Sequence, residues 1–200
     1  MEPNPVYGNI ADEKTLKKTA AALERNGMKA HVVKSGADAK QKVLSLVPKG
    51  AQIMTMTSQT FEALGLTATL NGKDYDPVRN RFDKVDSRTQ RQLGAAPDWA
   101  VGSCHAVTED GSLLWASATG SQLPAFAYGA ANVVLVVGGQ KIVKDVDEGM
   151  KRIKEYTFPL EDARALKAYG VHSGVNKVLI INKEAQPRIH VILVQEKLGY

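Results

Sequence analysis

DWAVGSCHAVTEDGSLLWASATGSQLPAFAYGAANVVLVVGGQKIVK, residues 98–144, is the stretch on which the reading of this chain turns. It reads as a strand from Asp98, a tight hairpin at Glu109-Asp110-Gly111, and a second short strand ending near Trp115. A polar loop, Ser117 to Gln122, leads into a short helix around Pro124–Tyr128. The run Asn132–Val137 is then apolar after its first residue, as in a strand buried on both faces, and it stops at Gly138-Gly139. Hydroxyl- and glycine-bearing loops thus follow apolar strands, which is where open α/β sheets place ligands.

Upstream, apolar residues at helical spacing between Ile10 and Asn26 predict a helix closed by Gly27, after a loose lead-in of residues 1–9. Met28–Lys34 reads as a strand, about Asp38–Val47 as a helix, and Ala51–Met56 as another strand. Two helix–strand units in succession imply parallel strands joined by helical crossovers. Thr57, Ser58 and Thr60 lie in the loop that opens a third helix, where they either cap it or help hold an anion. Residues 66–97 are dense in arginine (Arg79, Arg81, Arg88, Arg91), with a helix over Lys84–Leu93 whose charges read as a solvated face. So long an interruption between strands often forms a lid or carries an interface.

Downstream, Asp145 and Glu148 have the spacing of a capping box, Thr157-Phe158-Pro159 breaks and restarts the helix, and Gly170 ends it. Two apolar runs follow, Lys177–Ile181 and Ile189–Gln195, with a linker too short for a helical crossover. They are therefore expected to be antiparallel neighbours. The expected architecture is a single α/β domain over residues 10–200, three layers deep (α/β/α), with a mostly parallel mixed sheet.

Composition narrows the function classes. The longest apolar run is far below the roughly 20 residues that span a bilayer, and the acidic, proline-bearing start is unlike a signal peptide. The single cysteine, Cys104, rules out an internal disulfide framework, fits a cytoplasmic protein, and is too few for an intrinsic iron–sulfur cluster. A net charge of +5 is spread over the helices without a nucleic-acid reader motif, so no nucleic-acid partner is expected. The four histidines are too scattered to form a metal-ligand pattern, and there is no GxGxxG or Walker sequence.

Among ionisable residues Glu109 is the candidate nucleophile or general base, at a strand-to-turn corner beside Gly111. A solvated turn carboxylate is the plainer alternative. Cys104 and His105 are adjacent, so in a strand they point to opposite faces, and Cys104 reads as a buried structural thiol. Thr119, Gly120, Ser121 and Gln122 precede a helix start and offer a second anion cradle. Gly138 and Gly139 permit close approach of backbone or ligand, and Lys141 stands where it can pair with an anionic group.

These segments resemble the LUD-domain (lactate-utilisation) family. The resemblance rests on Thr108-Glu109-Asp110-Gly111, Thr119-Gly120-Ser121, Val133–Val137 followed by Gly138 to Val143, Ser58 and Thr60 ahead of Leu64-Gly65-Leu66, and the tail Asn176–Ile181 with Val191–Tyr200. It implies a fold similar to the NagB/RpiA/CoA-transferase-like superfamily. It also implies an association with lactate oxidation alongside iron–sulfur oxidoreductase subunits. CoA transferases of that superfamily use a glutamate nucleophile, for which Glu109 is the matching candidate; many family members carry Thr after this acid, where Asp110 stands here. The resulting expectations are three. The chain is a subunit or accessory factor in 2-hydroxy-acid utilisation that binds a small anionic metabolite or acyl carrier. Otherwise it is a non-catalytic metabolite-binding or scaffold protein, or a CoA-transferase-like or sugar-phosphate isomerase-like enzyme. The cofactor is left open, and a homo-oligomer is compatible with each.

Overall fold

The computed structural model describes residues 2–200, so only Met1 of the expected lead-in lies outside it. The lead-in is docked, not loose: a 3-10 turn at Pro5–Gly8 buries Tyr7, whose hydroxyl donates to Glu148 at 2.7 Å. Helix α1 (Glu13–Arg25) starts where the Asp12 carboxylate accepts the Thr15 N–H, and strand β1 (Lys29–Val33) follows. A capping box between Ser35 and Asp38 opens α2 (Gly36–Leu46), which leads to β2 (Gln52–Thr55). Two short helices, α3 (Gln59–Ala63) and α4 (Leu66–Leu70), precede the brief strand β3 (Asp76–Pro77). In the arginine-rich region a 3-10 segment, Val78–Lys84, precedes α5 (Ser87–Ala95), so the helix begins three residues later than the sequence suggests.

The expected first strand of the central stretch is in fact two. Strand β4 (Trp99–Gly102) ends at the small residues Gly102 and Ser103, and the chain turns into a different sheet as β5 (Ala106–Thr108). The hairpin to β6 (Leu113–Ser117) is as expected, antiparallel through Ala106–Leu114 and Val107–Leu113. The short helix is a widened turn of π type, Ala125–Gly129, leading to β7 (Asn132–Gly138) and the two-residue β8 (Ile142–Val143).

Asp145 caps α6 (Val146–Arg152), and the chain then passes without a break through a π-type segment, Ile153–Thr157, into α7 (Phe158–Tyr169). Pro159 explains the widening, because its missing N–H and its ring disrupt ordinary i→i−4 bonding in the turn before it. Gly170 ends the helix in the left-handed region at φ 70°. Strands β9 (Lys177–Ile181) and β10 (Ile189–Val194) complete the chain.

The main sheet has six strands in the order β1-β10-β7-β4-β2-β3, and every neighbouring pair is parallel. A second, four-stranded sheet runs β8-β5-β6-β9 and mixes both senses. This overturns the expected pairing of the last two strands. β9 is antiparallel to β6 in the second sheet, while β10 lies between β1 and β7 in the first. The short linker suffices because it carries the chain from one sheet to the other, with Glu184 N–H bonded to Asn26 O at 2.8 Å on the way.

Alternation along the central strands produces the layers. Val134 and Val136 of β7, with Ile192 and Val194 of β10, pack with α2 and with Phe61, Leu66 and Leu70 of α3 and α4. Val133, Leu135 and Val137, with Val191 and Leu193, share the opposite core with Leu16 and Leu23 of α1 and with Trp115 of the second sheet. A third cluster joins Ala106, Leu114 and Val143 to Ile153. The fold is thus α/β/α as expected, with the second sheet inserted on one side. No helix among the described residues is long and apolar enough to cross a membrane.

Gly111 locks the hairpin to α1. It has φ 91°, and a Cβ there would stand 2.7–2.8 Å from Ala22 C, Asn26 Nδ2 and Leu23 N. Gly111→Ala is therefore expected to cost about 3 kcal/mol in urea unfolding, combining left-handed strain with a steric clash. Gly50 is the control, because it has φ 78° but open space around it. Gly50→Ala should cost only about 1 kcal/mol. Equal costs at the two positions would show that α1 yields to the extra methyl group.

Candidate functional site

All main-sheet strands point the same way, so the loops after β2, β4 and β7 meet at one edge. There they line a cavity of about 360 Å³, which is within the range of small-molecule sites. Thr57 and Ser58 come from the loop after β2, and Ser103, Cys104 and His105 from the loop after β4. Lys141 sits on the 3-10 turn after β7, and Thr119, Ser121 and Gln122 on the loop after β6. Further wall comes from Arg79, from Glu161 and Arg164 of α7, from Tyr169 and residues 171–175, and from Tyr200.

The expected site residues divide accordingly. The structure brings together Thr57, Ser58, Thr119, Ser121, Gln122 and Lys141. Ser58 also caps α3 through a 3.4 Å bond from Phe61 N–H. Thr60 stands behind the wall, accepting from Lys141 Nζ at 3.1 Å while donating to Leu198 O at 3.1 Å. Gly120 supports its loop at φ 83° against the Lys177 side chain. Gly138 and Gly139 make room for the chain's own backbone, because Cβ atoms there would meet Leu198 N at 2.7 Å and Val194 O at 3.1 Å. Glu109 and Gly111 lie outside the lining, in the β5–β6 turn, where Glu109 pairs with Lys18 at 2.6 Å.

The loop after β4 is held in place by β6. Trp115 Nε1 donates to Ser103 O at 2.9 Å, and Ala116 N–H donates to His105 Nδ1 at 2.9 Å. A backbone N–H can only donate, so the neutral His105 ring carries its proton on Nε2. Burial, reinforced by the charges of Lys141 and Arg152, pushes His105 down to about 3 and keeps it neutral. Cys104 is not in a strand, contrary to expectation. It is fully buried, and burial pushes its thiol up to about 12.

Charge in the cavity is one-sided. The only acid among its lining residues, Glu161, is already engaged: Arg164 donates two bonds of 2.7 Å to it and Tyr200 one of 2.6 Å. Burial raises the Glu161 carboxyl, but the Arg164 and Tyr200 bonds outweigh it and hold the group below the ordinary range. Neither Arg79 nor Lys141 has a carboxylate among its hydrogen-bond partners, although the charges of Tyr169 and Glu62 offset part of the burial at Arg79. Arg79 donates to Thr55 O and, at 3.2 Å, to Thr57 Oγ1, and burial pulls its guanidinium down. Lys141 is 2% exposed, and its Nζ reaches Thr60 Oγ1 and Ser103 Oγ at 3.1 Å and Cys104 O at 3.3 Å. Burial, and then the charge of Arg152, push its amine down to about 7. Arg152 itself is fully buried behind this wall, bonded to Gln140 O at 3.1 Å, to His105 O, and to Thr157 Oγ1 at 2.9 Å.

Several of these residues escape sequence reading. Arg79 is visible only as one of several arginines, and Glu161 only as a favourable first-turn acid. The Glu161–Arg164 spacing of three on a helix is the one local signal for that pair. Tyr200 reaches Glu161 because Gln140 holds the tail, donating to Leu198 O at 3.0 Å and Gly199 O at 3.1 Å.

Comparison with known proteins agrees with this architecture. No curated protein matches the chain. A crystal structure of a DUF162 family protein from Deinococcus radiodurans, 14% identical, is similar with a TM-score of 0.56, covering 93% of this chain and 99% of that one. At that identity the likeness speaks to the fold. The LUD domain family model matches residues 16–194, nearly the whole chain, and on that match the chain belongs to the LUD-domain family.

Proposed function

We propose that this chain binds a small carboxylate-bearing metabolite of the 2-hydroxy-acid class, lactate or a close relative, in the cavity beside β2, β4 and β7. In this reading it serves as a subunit of, or accessory to, an iron–sulfur oxidoreductase. One observation carries the binding part: Arg79 and Lys141 face the same cavity with only neutral oxygens as hydrogen-bond partners. A buried ammonium and a partly buried guanidinium, neither hydrogen-bonded to a carboxylate, are costly unless a ligand anion completes them. Thr57, Ser121 and Gln122 supply polar groups suited to a hydroxyl or carbonyl oxygen beside the carboxylate. The lactate and partner assignments come from family membership.

A thermal-shift screen tests the reading, using L- and D-lactate, pyruvate, acyl-CoAs, sugar phosphates and nicotinamide nucleotides. A ligand at 100 times its dissociation constant adds about 2.7 kcal/mol, enough to raise the midpoint by several degrees. Lactate or pyruvate is expected to stabilise the protein. Arg79→Gln should weaken that binding by about tenfold, since a charge-assisted hydrogen bond contributes roughly 1.5–3 kcal/mol. Stabilisation by acyl-CoAs or sugar phosphates alone would move the reading to a transferase or isomerase. No response to any compound would overturn it.

A further inference from the structure

Lys141 is an unusual group with which to hold an anion. A lysine that only supplies charge is best left partly hydrated, with its ammonium form secure. This one is buried, has no carboxylate partner, and lies close enough to the buried Arg152 for that charge to oppose its own. A desolvated amine beside a second cation is the arrangement that prepares lysine as a nucleophile toward carbonyl carbon.

Its hydrogen-bond partners suit both protonation states. Thr60 Oγ1 and Ser103 Oγ are hydroxyls that accept from an ammonium, at 3.1 Å each. Each also has a backbone carbonyl to which it donates, Leu198 O at 3.1 Å and Cys104 O at 3.2 Å. Loss of a proton from Nζ therefore orphans neither hydroxyl. The neutral amine keeps two N–H bonds and gains a lone pair.

We propose that Lys141 holds a carbonyl-bearing carboxylate, a 2-oxo acid, covalently as an imine on Nζ in the cavity that Arg79 shares. The proposal rests on the carboxylate reading above and narrows its ligand class. The Nζ lone pair attacks the ketone carbon, a C–N bond forms, the C=O π bond opens onto oxygen, and a first proton passes from nitrogen to that oxygen. The resulting carbinolamine loses that oxygen as water, with the second proton coming from nitrogen, and C=N forms. No electrons enter or leave, so no further reactant is required. Arg79 is the cation available for the carboxylate.

The test is reductive trapping on the full chain. Protein is incubated with pyruvate, reduced with borohydride, and examined by intact mass and peptide mapping. The expected result is one adduct per chain, on the Lys141 peptide, heavier by pyruvic acid less one oxygen atom. Its yield should level off above about pH 8, because the amine is pushed down to about 7, whereas ordinary lysines near 10.4 keep gaining reactivity. Excess lactate, which lacks the carbonyl, should suppress it. Lys141→Arg should lose the adduct, because a guanidinium forms no imine under these conditions. Mapping on the native chain locates the adduct even if a variant folds poorly. Stabilisation by pyruvate without an adduct at Lys141 would overturn the imine and leave the carboxylate site standing. Absence of both binding and adduct would remove the two readings together.

Discussion

Arg152→Ala is expected to lower the stability of the protein by about 4 kcal/mol, a fall in melting temperature of roughly 8–16 °C for a domain of this size. The side chain is fully buried and bridges three places: the turn bearing Lys141 through Gln140 O, the loop after β4 through His105 O, and its own helix through Thr157 Oγ1. It also lies 5.1 Å from the centre of the Tyr156 ring. Truncation leaves those acceptors dry and opens a void, together costing about 7 kcal/mol. An opposing gain comes from no longer keeping a charge dry. Burial pushes Arg152 down to about 10 from 12.5, equivalent to about 3 kcal/mol returned. Arg152→Lys should recover less than half of the loss, because one ammonium cannot span acceptors on three segments. Urea and thermal unfolding measure both variants. A loss under about 1 kcal/mol for Arg152→Ala would mean that the two site loops hold their places without it.

What the sequence reveals here follows the range of the interactions involved. The Val-rich run of β7 and the Gly111 hairpin are local patterns, and both form as read. The pairing of β9 and β10 is not local. A short linker excludes a helical crossover, but it implies antiparallel neighbours only if both strands share a sheet, and here they do not. The break between β4 and β5 is hidden for the same reason, since Ser103–His105 interrupts no apolar pattern strongly. For the site, hydroxyl-bearing loops after strands are legible, and six of the expected residues converge on the cavity. Its balancing groups are not legible. Glu161, Arg164 and Tyr200 come from a helix and a tail that only the finished fold brings to the sheet edge. The bond from Arg152 to Thr157, five residues on, falls in a π-type segment that ordinary helical spacing does not foresee. Glu109 stands out in the sequence by its place in a turn, but that turn faces α1, where Lys18 pairs with it.

The second large effect concerns pH. Lys141→Met is expected to be more stable than the native protein by about 2 kcal/mol at pH 6, with the advantage gone by pH 9. Lys141 titrates near 7 in the fold, against 10.5 as its ordinary value. Between those two values the unfolded chain binds more protons than the folded one, so native stability rises with pH across that window. Below pH 7 both states are protonated, and the native protein carries the whole cost of a dry ammonium. Methionine removes that cost and fills similar space, and the hydroxyls of Thr60 and Ser103 retain Leu198 O and Cys104 O as partners. The loss of three hydrogen bonds offsets part of the gain. Between pH 7 and pH 9 the difference between the two proteins should change by about 2 kcal/mol in favour of the native chain. Other titrating groups are common to both and largely cancel. Urea unfolding at pH 6, 7, 8 and 9 measures the difference directly. A pH-independent gap would place the Lys141 amine at its ordinary value in the fold, and with it would go the argument that this residue is held ready as a nucleophile. A gap that closes as described would show that the protein accepts a stability cost near neutral pH to keep an amine in this cavity, a cost that an inert core position would have shed.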